Sequence, residues 1–320
     1  MRQLSINNQT RNKELLIKNE TTFNDLFSLF LTAKKAIGVQ DKTLDTYRFH
    51  FSAIRHYLNT EKAISELSKQ DFDLMIIKMR NSNLAPRSIK SYLTTLRAYL
   101  NWCKSEGYCD ITIGKFKCPE TYKDPYTDEE LKVLLQKPCV NTCSFSEYRN
   151  WVMINFLLDT GCRSATLRLI QIQDLDLDRG ICYYRHTKNA RVQSIPLSSK
   201  MINILKEYLL FRKGSLEDVL FCSIYGQPLN ETALRKAIYS YNKSRGVNKT
   251  SVHLFRHTFA KKFLLDCNGS ALILQQLLGH TTLDMTKHYC NLYSSDIIHS
   301  YDRLSPLSQI QKKNERIKMR

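Results

Sequence analysis

Several signals are missing from this chain, and each absence removes a class of protein. The ten cysteines, at positions 103, 109, 118, 139, 143, 162, 182, 222, 267 and 290, contain no C-x-x-C pair and follow no regular spacing. A chain of 320 residues buries enough core to do without disulfide staples, so the thiols read as reduced and inert. The opening M-R-Q-L-S-I-N-N-Q-T-R-N-K offers no apolar stretch of the kind a secretory signal needs. The most apolar segment, Trp151–Leu158, includes Asn155 and falls far short of the roughly 20 residues of a membrane span. No internal repeat and no long low-complexity segment occurs. A cytoplasmic protein with no membrane partner is the expectation.

Acidic residues are also in deficit, 30 against 48 lysines and arginines, for a net charge of +18. The basic excess is seven in residues 1–125 and eleven in residues 126–320. Charge spread over both halves suits wrapping a polyanion better than a single basic tail would. It predicts salt-sensitive binding to double-stranded DNA through phosphate neutralisation and counterion release.

Hydrophobic periodicity predicts a helical first domain. Phe23, Leu26, Phe27, Phe30 and Leu31 mark one helix; a second begins near Asp41 and carries Leu44, Tyr47, Phe51, Ile54 and Leu58. A third covers residues 70–80, and a fourth follows Pro86 with Ile89, Tyr92, Leu93, Leu96, Tyr99 and Leu100 on its buried face. From about residue 105 glycine, proline and charge replace the helical period, which marks a linker. Thr127 followed by Glu130 is a capping box that opens a new domain. A helix over about 148–160 ends at Gly161, and two strand-like runs, 181–186 and 192–197, flank the turn T-K-N-A-R. Helical patterns resume at 198–212, 230–244, 253–266, 271–279 and 284–293. The fold class is mainly α with a small β-sheet (α+β).

The second half carries an ordered set of charged motifs. Arg163 lies in T-G-C-R-S-A-T-L, Lys188 in H-T-K-N-A-R-V-Q-S-I-P-L, and His253 with Arg256 in H-L-F-R-H-T-F-A. His280 ends L-L-G-H, and Tyr289 follows nine residues later in T-K-H-Y. In this order and spacing the chain resembles the tyrosine recombinases of the phage-integrase family, over roughly residues 20 to 295. The resemblance implies a flexible N-terminus (1–19), a four-helix SAM-like core-binding domain (20–108), a linker (109–125), a mixed α/β catalytic domain of the integrase type (126–297) and a tail (298–320).

The resemblance also assigns roles. Arg163 and Arg256 clamp the scissile phosphate, which suits a permanently charged planar fork of donors. His253 and His280 bond to it or relay protons, and Lys188 protonates the departing 5′ oxygen. Tyr289 is the nucleophile; a free phenol has a pKa near 10 and needs the help of those same cations. The product is a 3′-phosphotyrosyl ester that a 5′ hydroxyl reseals, with no ATP, metal or other cofactor. Lys42, Thr43, Tyr47, Arg48, Arg87, Ser88 and Lys90 match the family's DNA-facing helix positions, and Arg191 reads as a backbone-phosphate contact. The implied assembly is a homotetramer on paired sites, monomeric when free, and nucleoid-associated.

Blander readings stand beside these. Arg163 alone reads as a helix cap and Lys188 as a solvated turn lysine. His253 and His257 have a spacing that also suits zinc, but Arg256 between them repels a cation and no Glu follows His253 as a metalloprotease needs. Tyr293, one turn after Tyr289, is the rival nucleophile; the step from His280 favours Tyr289. One departure is plain: the family's usual acidic residue three positions after the first arginine is Thr166 here. The alternative activity is relaxation of supercoils by a type IB topoisomerase-like enzyme.

Overall fold

The computed structural model of the chain describes residues 20–119, 124–185, 192–267, 269–280 and 282. Lys188, Arg191 and Tyr289, together with the helix expected over 284–293, lie outside the described residues. The chain divides into two compact units, Met1–Tyr122 and Lys123–Arg320.

The first unit is built on helices α1 (Phe23–Ala36), α2 (Asp41–Arg55), α3 (Lys69–Asn81) and α4 (Pro86–Ser105). Their starts are written locally. Thr22 accepts from the Asp25 amide, Ser68 and Asp71 form a capping box, and Pro86 occupies the first turn of α4, where its missing N–H costs nothing. The four apolar faces meet in an aromatic core. Phe27 stacks on Phe51 at 3.7 Å, and Tyr99 lies edge-on to both at 5.3 and 6.0 Å. The buried Tyr99 hydroxyl donates to the Phe23 carbonyl at 2.6 Å, so this buried polar atom is satisfied. Burying each such ring stabilises the bundle by about 1.5–3 kcal/mol.

The second unit is organised around α6 (Phe145–Thr160), which follows the short α5 (Asp128–Leu134). Trp151, Val152, Met153, Ile154, Phe156 and Leu157 are consecutive or nearly so, and all are buried. A helix apolar on every side belongs in the middle of a fold, and α8 (Ser199–Arg212), α9 (Glu231–Ser244) and α10 (Val252–Leu265) all pack on it. Because its pattern is not one-sided, periodicity placed its start at about 148. The true start is set by Ser144, whose hydroxyl accepts from the Glu147 amide.

A three-stranded antiparallel sheet, β1 (Leu175–Asp176), β2 (Ile181–Tyr184) and β3 (Gln193–Pro196), lies in the same unit in the order β1-β2-β3. Cys182 pairs with Leu175 on one side and Ile195 on the other, which puts Cys182 and Ile195 into the core. The two-residue β1 and the six-residue α7 (Ser164–Leu169) are too short to show a period, so neither is legible in the sequence. The last described helix is α11 (Ala271–Leu278).

Candidate active site

Two glycine turns bring the site together. Gly161 ends α6 in the left-handed conformation (φ 59°), and a Cβ there would sit 2.4 Å from the Phe259 ring of α10. Only glycine meets both demands. The chain then turns sharply, so that Arg163 becomes the N-terminal boundary residue of α7. Gly279 ends α11 in the same way (φ 60°) and delivers His280, whose amide donates to the Gln275 carbonyl at 3.0 Å.

Arg256 joins these two turns. It projects from α10, is buried, and donates from Nη1 to the Gly161 carbonyl and from Nη2 to the Leu278 carbonyl, both at 2.9 Å. Nη2 also lies 2.8 Å from Nε2 of His280. A guanidinium can only donate, so that imidazole nitrogen accepts, and His280 is the neutral tautomer with its proton on Nδ1. Burial, followed by the charges of Arg256 and Arg163, pushes the His280 pKa down to about 4. Arg163 reaches the next carbonyl along, donating from Nη2 to Gly279 at 3.4 Å.

The C-terminal end of α11 thus accepts both arginines on successive carbonyls. Those carbonyls carry the negative end of the helix dipole, which favours cations. Two guanidinium groups whose mutual repulsion would otherwise spread them apart are held side by side.

His253 stands one turn before Arg256 on the outer side of α10. Partial burial and the positive charges of Arg256, Arg235 and Arg163 hold its pKa below the ordinary histidine value, against an opposing pull from Glu231. It lines a groove of about 390 Å³ with Ser164, Arg235, Lys236, Tyr239 and Ser251. Thr166 is buried on α7 and supplies no carboxylate to balance Arg163. His257 lies on the same helix; among the described residues no three His, Cys, Asp or Glu side chains gather as a metal site. The expected catalytic residues Arg163, His253, Arg256 and His280 therefore come together.

The positions of the first unit that were expected to face DNA lie on two helices. Lys42, Thr43, Tyr47 and Arg48 lie on α2; Arg87, Ser88 and Lys90 lie on the first turns of α4. Lys42, Thr43, Arg48, Arg87 and Lys90 are exposed, Ser88 is half-buried, and Arg48 pairs with Asp45 at 2.7 Å. Tyr47 is partly buried against Phe30 at 5.5 Å and belongs in part to the core.

Sequence reasoning passed over two contacts that hold the neighbouring strands. The Gln193 amide donates to the Gln276 and Leu277 carbonyls, and Arg185, just after β2, donates to the buried carboxylate of Asp174 at 2.6 Å. Nothing local to residue 193 signals a partner 83 residues away.

Comparison with known proteins gives relatives over most of the chain. A tyrosine recombinase XerD from Staphylococcus haemolyticus is 25% identical over 281 residues, covering 84% of this chain and 94% of the relative. A tyrosine recombinase XerC from Thermodesulfovibrio yellowstonii is 28% identical over 230 residues, covering 68% and 75% respectively. Among solved structures, the Tn1549 transposon integrase in complex with transposon right end DNA shares the fold with a TM-score of 0.71 at 18% identity, covering 89% of this chain and 99% of that one. A lambda integrase dimer bound to a core site gives 0.69 at 18% identity, covering 97% and 84%. The sequence model of the phage integrase family matches residues 126–295, the span that contains both glycine turns and every motif residue from Arg163 to Tyr289, and the chain belongs to the phage integrase family of tyrosine recombinases.

Proposed function

We propose that this recombinase cuts and rejoins double-stranded DNA at specific sites, with Tyr289 as nucleophile and a 3′-phosphotyrosyl ester as intermediate. The observation that carries the reading is the convergence of Arg163 and Arg256 on successive carbonyls beside a neutral His280. In that setting the non-bridging oxygens of a phosphodiester receive charge-assisted hydrogen bonds from two preorganised guanidinium groups. Such fixed charge is usually the largest catalytic contribution. His280, neutral at pH 7, accepts from Arg256 at Nε2, carries its proton on Nδ1 and bonds to the phosphate or relays a proton. The same positive field favours the Tyr289 phenolate over the phenol.

Lys188 gives its proton to the 5′ oxygen as the P–O bond breaks. The phosphotyrosyl ester conserves the energy of the broken bond, so a second 5′ hydroxyl reverses the step without ATP, metal or cofactor. The helical unit (20–108) and the catalytic unit (126–297) both grip the duplex. Lys42, Thr43, Tyr47, Arg48, Arg87, Ser88, Lys90 and Arg191 supply backbone and base contacts. Exchange between two duplexes needs four cleavages and hence four protomers in a closed ring, formed on DNA by a chain that is monomeric and cytoplasmic when free. Solved lambda integrases include a dimer on a core site and a tetramer on a Holliday junction. No described helix is long and apolar enough to cross a membrane.

The test is covalent capture on a nicked suicide site. Tyr289→Phe is expected to bind the site normally and form no protein–DNA adduct, while Tyr293→Phe forms one. An adduct lost in Tyr293→Phe and retained in Tyr289→Phe would reassign the nucleophile. Relaxation of any supercoiled plasmid, with no exchange between paired sites, would instead mark a topoisomerase.

A further inference from the structure

The C-terminal turn of α11 offers four carbonyls in a row, and three side chains from three other elements take them up. Gln193 on β3 donates to Gln276 and Leu277, Arg256 on α10 to Leu278, and Arg163 at the start of α7 to Gly279. The two arginines belong to the catalytic machinery; Gln193 does not. A half-exposed glutamine on an edge strand has water available to it, and here it turns inward instead. Room for it comes from the missing side chain of Gly279, where a Cβ would stand 2.7 Å from the Gln193 Oε1. The Gln193 backbone is fixed by its pairing with Tyr184 across the sheet, so its amide is anchored to a rigid element.

We propose that Gln193 is a positioning residue for DNA cleavage: by holding the Gln276 and Leu277 carbonyls it sets the turn that presents the next two carbonyls to Arg256 and Arg163. Carbonyls at a helix end lack the full set of partners found in its interior; here the Gly279 amide reaches the Gln276 carbonyl at 3.0 Å, and Gln193 adds a second donor there and one at Leu277. Left to water, this turn would be free to fray, and each arginine would follow the carbonyl it is bonded to. The amide supplies what the position requires, two donor hydrogens from one nitrogen. A carboxylate of the same shape would face two carbonyl oxygens with no hydrogen to offer.

The test compares Gln193→Glu, which keeps the shape and removes the donor, with Gln193→Arg, which keeps the donors. Covalent adduct formation is measured in single turnover on suicide sites bearing either the natural scissile phosphate or a neutral methylphosphonate. The methylphosphonate has one negative charge fewer and draws less on the two guanidinium groups. Relative to the parent on each substrate, Gln193→Glu is expected to be slower by about tenfold or more on phosphate and by no more than about threefold on methylphosphonate. Gln193→Arg is expected to stay within about threefold of the parent on both. Comparing two substrates on one protein sample cancels any loss of folded protein. Parental rates for Gln193→Glu, or equal slowing on both substrates, would overturn the proposal. It rests on the reading that Arg256 and Arg163 hold the scissile phosphate, which Arg256→Ala tests separately in the same assay. Equal defects of Arg256→Ala on both substrates sink that reading. Relief of Arg256→Ala by methylphosphonate, with Gln193→Glu at the parental rate, sinks only the positioning role.

Discussion

Arg256 and His280 meet at 2.8 Å with the guanidinium as donor, which fixes the imidazole as a neutral acceptor at Nε2. Protonating His280 would set an imidazolium against two arginines in a buried site. Its pKa is accordingly pushed from the ordinary 6.5 down to about 4.

The sign of the resulting pH dependence follows from linkage. Between about pH 6.5 and 4 the unfolded chain carries a proton on residue 280 that the folded chain refuses, so folding stability falls as the pH drops through that window and is complete above it. His280→Asn keeps an acceptor and cannot titrate. In urea melts at pH 7 and pH 4.5 the parent is expected to lose more stability than this variant. Equal losses would mean that burial and the two arginines do not hold His280 neutral.

Gly161 is predicted to be irreplaceable for two separable reasons. Gly161→Ala puts a methyl against the Phe259 ring and forces a non-glycine residue to φ 59°, costing about 2–4 kcal/mol in all. Adding Phe259→Leu should relieve the collision and leave the backbone cost of about 1 kcal/mol, a difference that a double-mutant cycle in guanidinium resolves. Additive effects would show that the ring is not the obstacle.

Lys188→Ala is expected to cleave ordinary DNA at least about a hundredfold more slowly, as removal of a general acid does. A substrate with sulfur in the 5′-bridging position has a leaving group that departs without a proton, and most of the rate should return on it. Equal defects on both substrates would take Lys188 out of the acid role.

A fragment of residues 126–320 keeps the arginine pocket and loses the basic positions of α2 and α4. Its affinity for site DNA should fall, and the slope of log K against log salt should become shallower by about 0.9 for each phosphate contact removed. A filter-binding series between 50 and 300 mM salt, taken as roughly the range where such slopes are measured, reads both. An unchanged slope would place the DNA grip in the second unit alone.

The legible parts of the molecule are those with local causes. Phe23, Leu26, Phe27 and Phe30 recur on one helix face and are buried as that spacing predicts, and Thr127 and Gly161 start and stop helices by chemistry confined to one turn. T-G-C-R and L-L-G-H were readable through their order and spacing, which resemble the family's, and the structure adds that each holds a glycine in the left-handed conformation. The boundaries of α6 were blurred because a helix buried on every side has no polar face to mark its phase. Helix α7 and strand β1 span fewer residues than a period. The partners of Arg256 and Gln193 could not be read, because a bond from residue 256 to the carbonyl of residue 161 is a property of the packed unit.

That dependence has a consequence for the chain as it is synthesised. The pocket draws on Gly161 and Arg163, then Gln193, then Arg256, and is closed by the carbonyls of Leu278 and Gly279. While a ribosome is still making the stretch before residue 278, the nascent polypeptide has its cations but not the helix end that gathers them. The pairing of the two arginines therefore arrives late and all at once, and a product terminated before α11 has Arg163 and Arg256 without the Leu278 and Gly279 carbonyls that hold them together.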